Sequence, residues 1–148
     1  GMQLFNGEAN PNSPLRGADC FHCHGGNLFT NHKFMNNGLD SVITDPGLGG
    51  VTGNPNDMGK FKVPSLRNIA YTPPYMHDGR FQTLMEVVDF YNSGTHANSP
   101  NIDPAMGDII RAGGLGLNLQ ERLALVAFLN ALTDTSIESD TLFQNPFN

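Results

Sequence analysis

Cys20-Phe21-His22-Cys23-His24 constrains this chain more than any other segment. Two thiols three residues apart, with a histidine directly after the second, form the C-x-x-C-H pattern by which a polypeptide carries a haem covalently. Residues three apart on a helical turn share a face, so both thiols can reach the two vinyl groups of one porphyrin edge. His24 is then carried beneath the ring, where its imidazole can bind the iron from the proximal side. The expectation is one covalent haem c on Cys20 and Cys23.

Three other readings of the motif compete. A redox disulfide of this spacing opens a helix in a βαβ setting, which is missing here. A zinc site needs a second ligand pair, and His32, the nearest candidate, has no companion at ligand spacing. The third is chance. The chain has only 2 cysteines and both lie in the motif, which favours haem.

The remainder of the chain suits that reading. From Gly25 to Pro64 it is rich in Gly, Asn and Pro, with Gly47-Leu48-Gly49-Gly50 and Gly53-Asn54-Pro55-Asn56 marking successive turns. So long a loop needs something to pack on, and a haem would supply the apolar surface. The segment from Gly1 to Asp19 is polar, with Pro11 and Pro14, and offers only Leu4, Phe5 and Leu15 for packing, so one helical turn is expected there.

Two segments carry helix signals. Thr83 with Glu86 three residues on is a capping box, and a helix from there to Gly94 puts Leu84, Val87, Val88 and Tyr91 on one face. Asn118 and Glu121 repeat the pattern ahead of Leu123, Leu125, Val126, Phe128, Leu129 and Leu132, a wide apolar face that predicts a core helix. No strand pattern of useful length, internal repeat or low-complexity segment is present. At 148 residues the chain is expected to form one all-α domain, 1–148, of the cytochrome c-like kind, with short helices and long haem-wrapping loops.

Composition narrows the partners. A formal net charge of −6 with no Lys/Arg-rich run argues against binding a phosphate backbone, so nucleic acid is not expected. The acidity would fit docking to a basic redox protein, although mild acidity also simply keeps a protein in solution. No run approaches the roughly 18 apolar residues of a membrane-spanning helix, so membrane insertion is not expected. Gly1-Met2 reads as a cleavage scar ahead of a start codon, implying that a leader or preceding domain was removed. Haem is attached outside the bacterial cytoplasm, so the expected location is the periplasm.

Met58, Met76, Met85, Met106, His77, His96 and Tyr91 are all candidates for the distal iron position, and spacing alone does not choose among them. Met85 falls off its helix's apolar face, while Met58 and Met106 lie in loops where a methionine more often fills a gap. Tyr91 by itself reads as a core tyrosine with its hydroxyl bonded to backbone.

Pro64-Ser65-Leu66-Arg67-Asn68-Ile69-Ala70, followed by Pro74-Tyr75-Met76-His77-Asp78-Gly79-Arg80-Phe81, resembles the bacterial dihaem cytochrome c peroxidase and MauG family. The resemblance runs from the haem motif through Gly38-Leu39 and Thr83-Leu84 to Leu129, Leu132 and Thr133, and corresponds to that family's C-terminal half. It implies an electron-transfer haem domain whose N-terminal peroxidatic haem domain is missing, working with a redox protein as donor or acceptor.

The resemblance also implies site residues. The distal ligand lies fourteen residues after the His of the His-Asp-Gly block, which is Tyr91 here; it is Met in the peroxidase branch and Tyr in the MauG branch. An axial phenolate favours ferric iron, so a low-potential haem is expected. The family holds a calcium ion between its halves partly through backbone carbonyls that match Thr72 and Pro74, a set incomplete for an ion that takes about six to eight oxygens. Arg67 matches a residue that could pair with a haem propionate, the alternative being a loop anchor. His77 resembles a histidine near the haem pocket, with a turn-stabilising role as its alternative. The chain has no tryptophan, so a relay through one would need another chain.

Two rival functions follow. If the distal position were open, the iron could activate peroxide directly and the chain would be a peroxidase in its own right. Without haem, it would be a binding or structural domain with a poorly ordered Gly-rich loop.

Overall fold

The computed structural model describes residues 1–9, 16–111 and 113–147. Pro11, Pro14 and Leu15 therefore lie outside the described residues. The expected N-terminal helical turn is α1 (Met2–Asn6), which buries Phe5 to 1% exposure.

Both predicted helix starts form as their residues dictate. In α3 (Leu84–Asp89) the Thr83 hydroxyl accepts from the Glu86 amide at 3.2 Å, and the Glu86 carboxylate accepts from the Thr83 amide at 2.7 Å. In α5 (Leu119–Asn130) Asn118 and Glu121 make the same exchange at 3.0 and 2.8 Å. Each box satisfies amides that the helix cannot pair internally, worth about 1 kcal/mol. α3 does not run on regularly to Gly94; Phe90–Gly94 form a π-helical turn instead.

Helix α5 is the central support. It packs against α1 on one side and α3 on the other, and Arg122 on α5 pairs with Asp89 on α3 at 2.5 Å. Its apolar face is narrower than the sequence implies: Leu125 and Leu129 are buried, but Leu123 and Leu119 stand 44% and 54% exposed. The core they join includes Phe5, Tyr75, Leu84, Val88 and Met106. A further short helix, α4 (Gly107–Arg111), follows a 3-10 turn at Pro104–Met106.

The all-α expectation takes one correction. β1 (Phe34–Met35) pairs antiparallel with β2 (Phe61–Lys62), Phe34 opposite Lys62 and Met35 opposite Phe61. Strands of two residues are too short to leave an alternating pattern. They draw together the ends of the long loop, and Thr30 donates from its hydroxyl to the Val63 carbonyl at 2.7 Å just beyond them. Inside the loop, Leu48–Thr52 form the short helix α2 where successive turns were expected. Gly49 is buried there because a Cβ would come within 2.5 Å of the Met58 sulfur. The Gly53–Asn56 stretch does turn, with the Asn54 side chain accepting from the Asn56 amide at 3.0 Å. No helix among the described residues is long and apolar enough to cross a membrane.

Candidate haem-attachment site

Cys20–His22 form one 3-10 turn, with the amide of His24 on the Cys20 carbonyl at 2.9 Å. Side chains three apart eclipse one another in this helix type, so the turn presents the two thiols together. Both are free and partly buried. Burial pushes the Cys20 thiol up to about 12 and the Cys23 thiol to about 11, with the neighbouring Asp19 carboxylate adding to both. Both therefore stay protonated at neutral pH.

His24 is oriented by the chain that follows it. Its Nδ1 lies 3.2 Å from the Phe29 carbonyl, so Nδ1 carries the proton and donates, which in the neutral ring makes Nε2 the nitrogen with the lone pair. Burial pulls the imidazole below its ordinary value, opposed by the carbonyls of Phe29 and Pro64. A neutral, pre-oriented ring is the form that ligates a metal.

The Phe29 carbonyl is held in turn. The Phe29 ring meets Phe5 at 5.8 Å and Phe128 at 6.1 Å, tying it to α1 and α5. Arg67 donates from Nε and Nη2 to the Asn27 carbonyl at 2.9 and 2.7 Å, and lies 5.6 Å from the centre of the Phe29 ring. Ser65 donates to the Leu28 carbonyl at 2.6 Å. Arg67 thus anchors the loop that orients His24.

Tyr91 lies in the π-helical turn after α3. Its hydroxyl accepts from Asn37 Nδ2 at 3.1 Å. Burial pushes the phenol up to about 12, the Asn37 hydrogen bond opposes this, and charge on Cys23 and Cys20 adds to it. The widened turn re-aims residues that an α-helix would place elsewhere, a deviation frequent at functional sites.

Among the other distal candidates, Met76 lies nearest this group, its sulfur accepting from the same Asn37 Nδ2 at 3.7 Å. Met106 is buried at 5% in the core, His96 is exposed, and Met58 and Met85 are half-buried. His77 is exposed and stacks on Phe61 at 3.8 Å and 10°. The turn beside it is held by Arg80, which pairs with Asp78 and Asp40 and donates to the Leu39 carbonyl. Thr72 and Pro74 are exposed. Among the described residues Glu8, Asp19 and His22, at the cysteine turn, are the His, Cys, Asp and Glu side chains close enough together to share a metal ion.

The donor set fits a covalently held haem. Two unoxidised thiols are presented together, a half-buried histidine has its Nδ1 fixed on a backbone carbonyl, and a half-buried phenol is held by the Asn37 amide. An open cleft of about 350 Å³ lined by Asp19, His22, Asn31, Lys33, Met35 and Asp103 adjoins the motif at His22, although Cys20, Cys23, His24 and Tyr91 do not line it. Sequence reasoning missed Asn37 and Phe29. Asn36-Asn37-Gly38 reads as an ordinary turn, and the Phe29 contribution is a backbone oxygen, so neither leaves a sequence signal.

Fold and site together define the class: a helix-rich protein with a c-type haem-attachment motif. No protein-family model matches the chain. It is 34% identical to the cytochrome-c peroxidase IdrP1 of Pseudomonas sp. (strain SCT) over 163 residues, covering 90% of this chain and 39% of that protein. It is 37% identical to the methylamine utilization protein MauG of Paracoccus denitrificans over 138 residues, covering 74% of this chain and 36% of that protein. A solved MauG-like protein associated with microbial copper homeostasis superposes with a TM-score of 0.69 at 38% identity, over 88% of this chain and 47% of that one. The chain belongs to the cytochrome-c peroxidase and MauG family, and spans about two-fifths of the length of the curated relatives it matches.

Proposed function

We propose that the chain is a cytochrome c-like electron-transfer haem domain of a periplasmic cytochrome c peroxidase/MauG-type oxidoreductase, corresponding to the C-terminal half of that family. Cys20 and Cys23 would carry the haem, His24 would ligate its iron on the proximal side and Tyr91 on the distal side. The observation that carries the reading is Tyr91 itself: a half-buried phenol in the π-helical turn after α3, its hydroxyl oxygen held by the Asn37 amide at 3.1 Å. Bound haem would supply a one-electron ferric–ferrous couple.

The chain's own residues account for the rest of the function. The Phe29 carbonyl fixes the His24 tautomer, and Arg67 with Ser65 holds that loop against rearrangement. A site whose ligands are rigid on both sides changes shape little when its charge changes, which suits electron transfer. Arg67 is also the residue proposed to meet a propionate. The remaining length of the relatives would contribute the peroxidatic haem domain and the further oxygens a calcium ion at Thr72 and Pro74 would need.

The test is the visible spectrum of the purified protein, ferric and dithionite-reduced, with a pyridine haemochrome assay, on wild type and Tyr91→Phe. A c-type haemochrome with a low-spin ferric spectrum that lacks a methionine–iron band, and that changes in the variant, is the expected result. A high-spin ferric spectrum responding to peroxide would replace this reading with that of a peroxidase acting through an open iron position. No Soret absorbance from cells able to attach haem would refute both.

A further inference from the structure

Asn37 lies fifty-four residues from Tyr91 in the chain, yet its side-chain amide meets two of the candidate distal ligands, Tyr91 and Met76, at once. Nδ2 donates to the Tyr91 hydroxyl oxygen at 3.1 Å and faces the Met76 sulfur at 3.7 Å. The other end of the amide cannot turn away, because Oδ1 accepts from the Leu39 amide at 3.2 Å. The segment is clamped again by Arg80, which donates to the Leu39 carbonyl and pairs with Asp40 while holding Asp78 in the Met76–Gly79 turn. One immobilised N–H donor therefore stands between a phenol and a thioether.

The two acceptors respond differently to such a donor. A thioether sulfur is a weak acceptor and stays neutral when it binds a metal. A phenol that binds through oxygen does so as phenolate, its hydroxyl proton passing to solvent, and a donor aimed at that oxygen then makes a charge-assisted hydrogen bond about twice as strong as a neutral one. A fixed Nδ2 donor thus favours oxygen over sulfur.

Resting on the reading of Tyr91 as distal ligand, we infer that Asn37 is a positioning residue that selects Tyr91 over Met76 for the distal iron position and lowers the reduction potential by stabilising the phenolate. Asn37 touches neither the iron nor a substrate; it acts through Tyr91.

The experiment uses the haem-loaded chain and compares wild type with Asn37→Asp, Asn37→Leu, Asn37→Gln and the double variant Asn37→Leu/Met76→Leu. Asn37→Asp keeps the acceptor for the Leu39 amide, so it guards against a variant that fails to fold, but it replaces the donor by a carboxylate charge, and the neutral Asn37→Leu variant is the one that reads the donor's effect on the potential. Resonance Raman and optical spectra report the ligand, and redox titration reports the potential. Phenolate–iron bands should be present in wild type, fade in Asn37→Asp and Asn37→Leu, and return at least in part in Asn37→Gln. The fading should come with a methionine–iron band that the Met76→Leu change removes, and with a higher midpoint potential. Unchanged phenolate bands and potential in both loss variants would overturn the role of Asn37 while leaving Tyr91 as ligand. Absence of phenolate bands from wild type, with no effect of Tyr91→Phe, would overturn the ligand assignment and this inference with it.

Discussion

Phe5→Ala tests whether the N-terminal helix is part of the structure that holds His24. Phe5 is 1% exposed, and its ring lies 5.0 Å from Phe128 on α5 and 5.8 Å from Phe29. Truncating a buried phenylalanine costs about 3–5 kcal/mol, of which each aromatic pair accounts for about 0.5–1.5 kcal/mol beyond area burial. A domain of this size has about 5–15 kcal/mol in total, so the variant should lose roughly a fifth of its stability or more. The assay is guanidinium unfolding of the haem-loaded chain followed by far-ultraviolet circular dichroism, with Phe5→Leu as the comparison that keeps an apolar side chain and loses only the rings. The expected order is wild type, Phe5→Leu, Phe5→Ala, with similar denaturant slopes. Because the Phe29 ring leans on Phe5 and the Phe29 carbonyl orients His24, the midpoint seen by Soret absorbance should fall with that seen by dichroism. A loss below about 1 kcal/mol at unchanged slope would show that α1 is not docked on α5 and refute the reasoning.

Other outcomes follow from the caps and the thiols. Thr83→Ala should cost about 1 kcal/mol by denaturant unfolding, since it removes the capping hydroxyl of the helix that leads into Tyr91. The Thr83 hydroxyl and amide and the Gln82 amide hold the Glu86 carboxyl below its ordinary range. The unfolded chain therefore takes up that proton first as pH falls, so the contribution is complete above the ordinary glutamate range and is lost through the lowered value. The stability difference between wild type and Glu86→Gln should accordingly narrow in acid, and a gap that stays constant down to the acid transition would argue against the box. In chain prepared without haem, thiols pushed up to about 12 and about 11 should react slowly with iodoacetamide at neutral pH and rapidly once unfolded. Equal rates in both states would show that the cysteine turn is not formed before haem is attached.

The family relationship supports a peroxidase-type haem protein and leaves the division of labour to the proposal. The chain spans about two-fifths of the length of the curated relatives it matches. What the described residues do provide is a rigid cradle: two thiols on one turn, a histidine with its tautomer set, and a phenol fixed by an amide.

The parts legible in the sequence are those made by neighbours in the chain. The Cys20–His24 motif, the Thr83–Glu86 and Asn118–Glu121 boxes and the turn at Asn54 all need only residues within one helical turn of each other, so their geometry follows from composition and spacing. Tertiary structure decided the rest. Leu123 belongs to a wide apolar face by sequence, yet nothing among the described residues covers it, and it stays 44% exposed. The fork of Arg67 meets the Asn27 carbonyl, forty residues away in the chain, a contact that no local pattern announces. Met35 and Phe61 pair in a ladder too short to announce itself, and the π-helical turn that aims Tyr91 begins where an unbroken helix was expected. Asn37 has no meaning until the long loop folds back and brings it to Tyr91. Local motifs state which groups are present, but a hydrogen bond across fifty residues depends on how α3, the loop and the Arg80 clamp are placed together, and no local pattern encodes that.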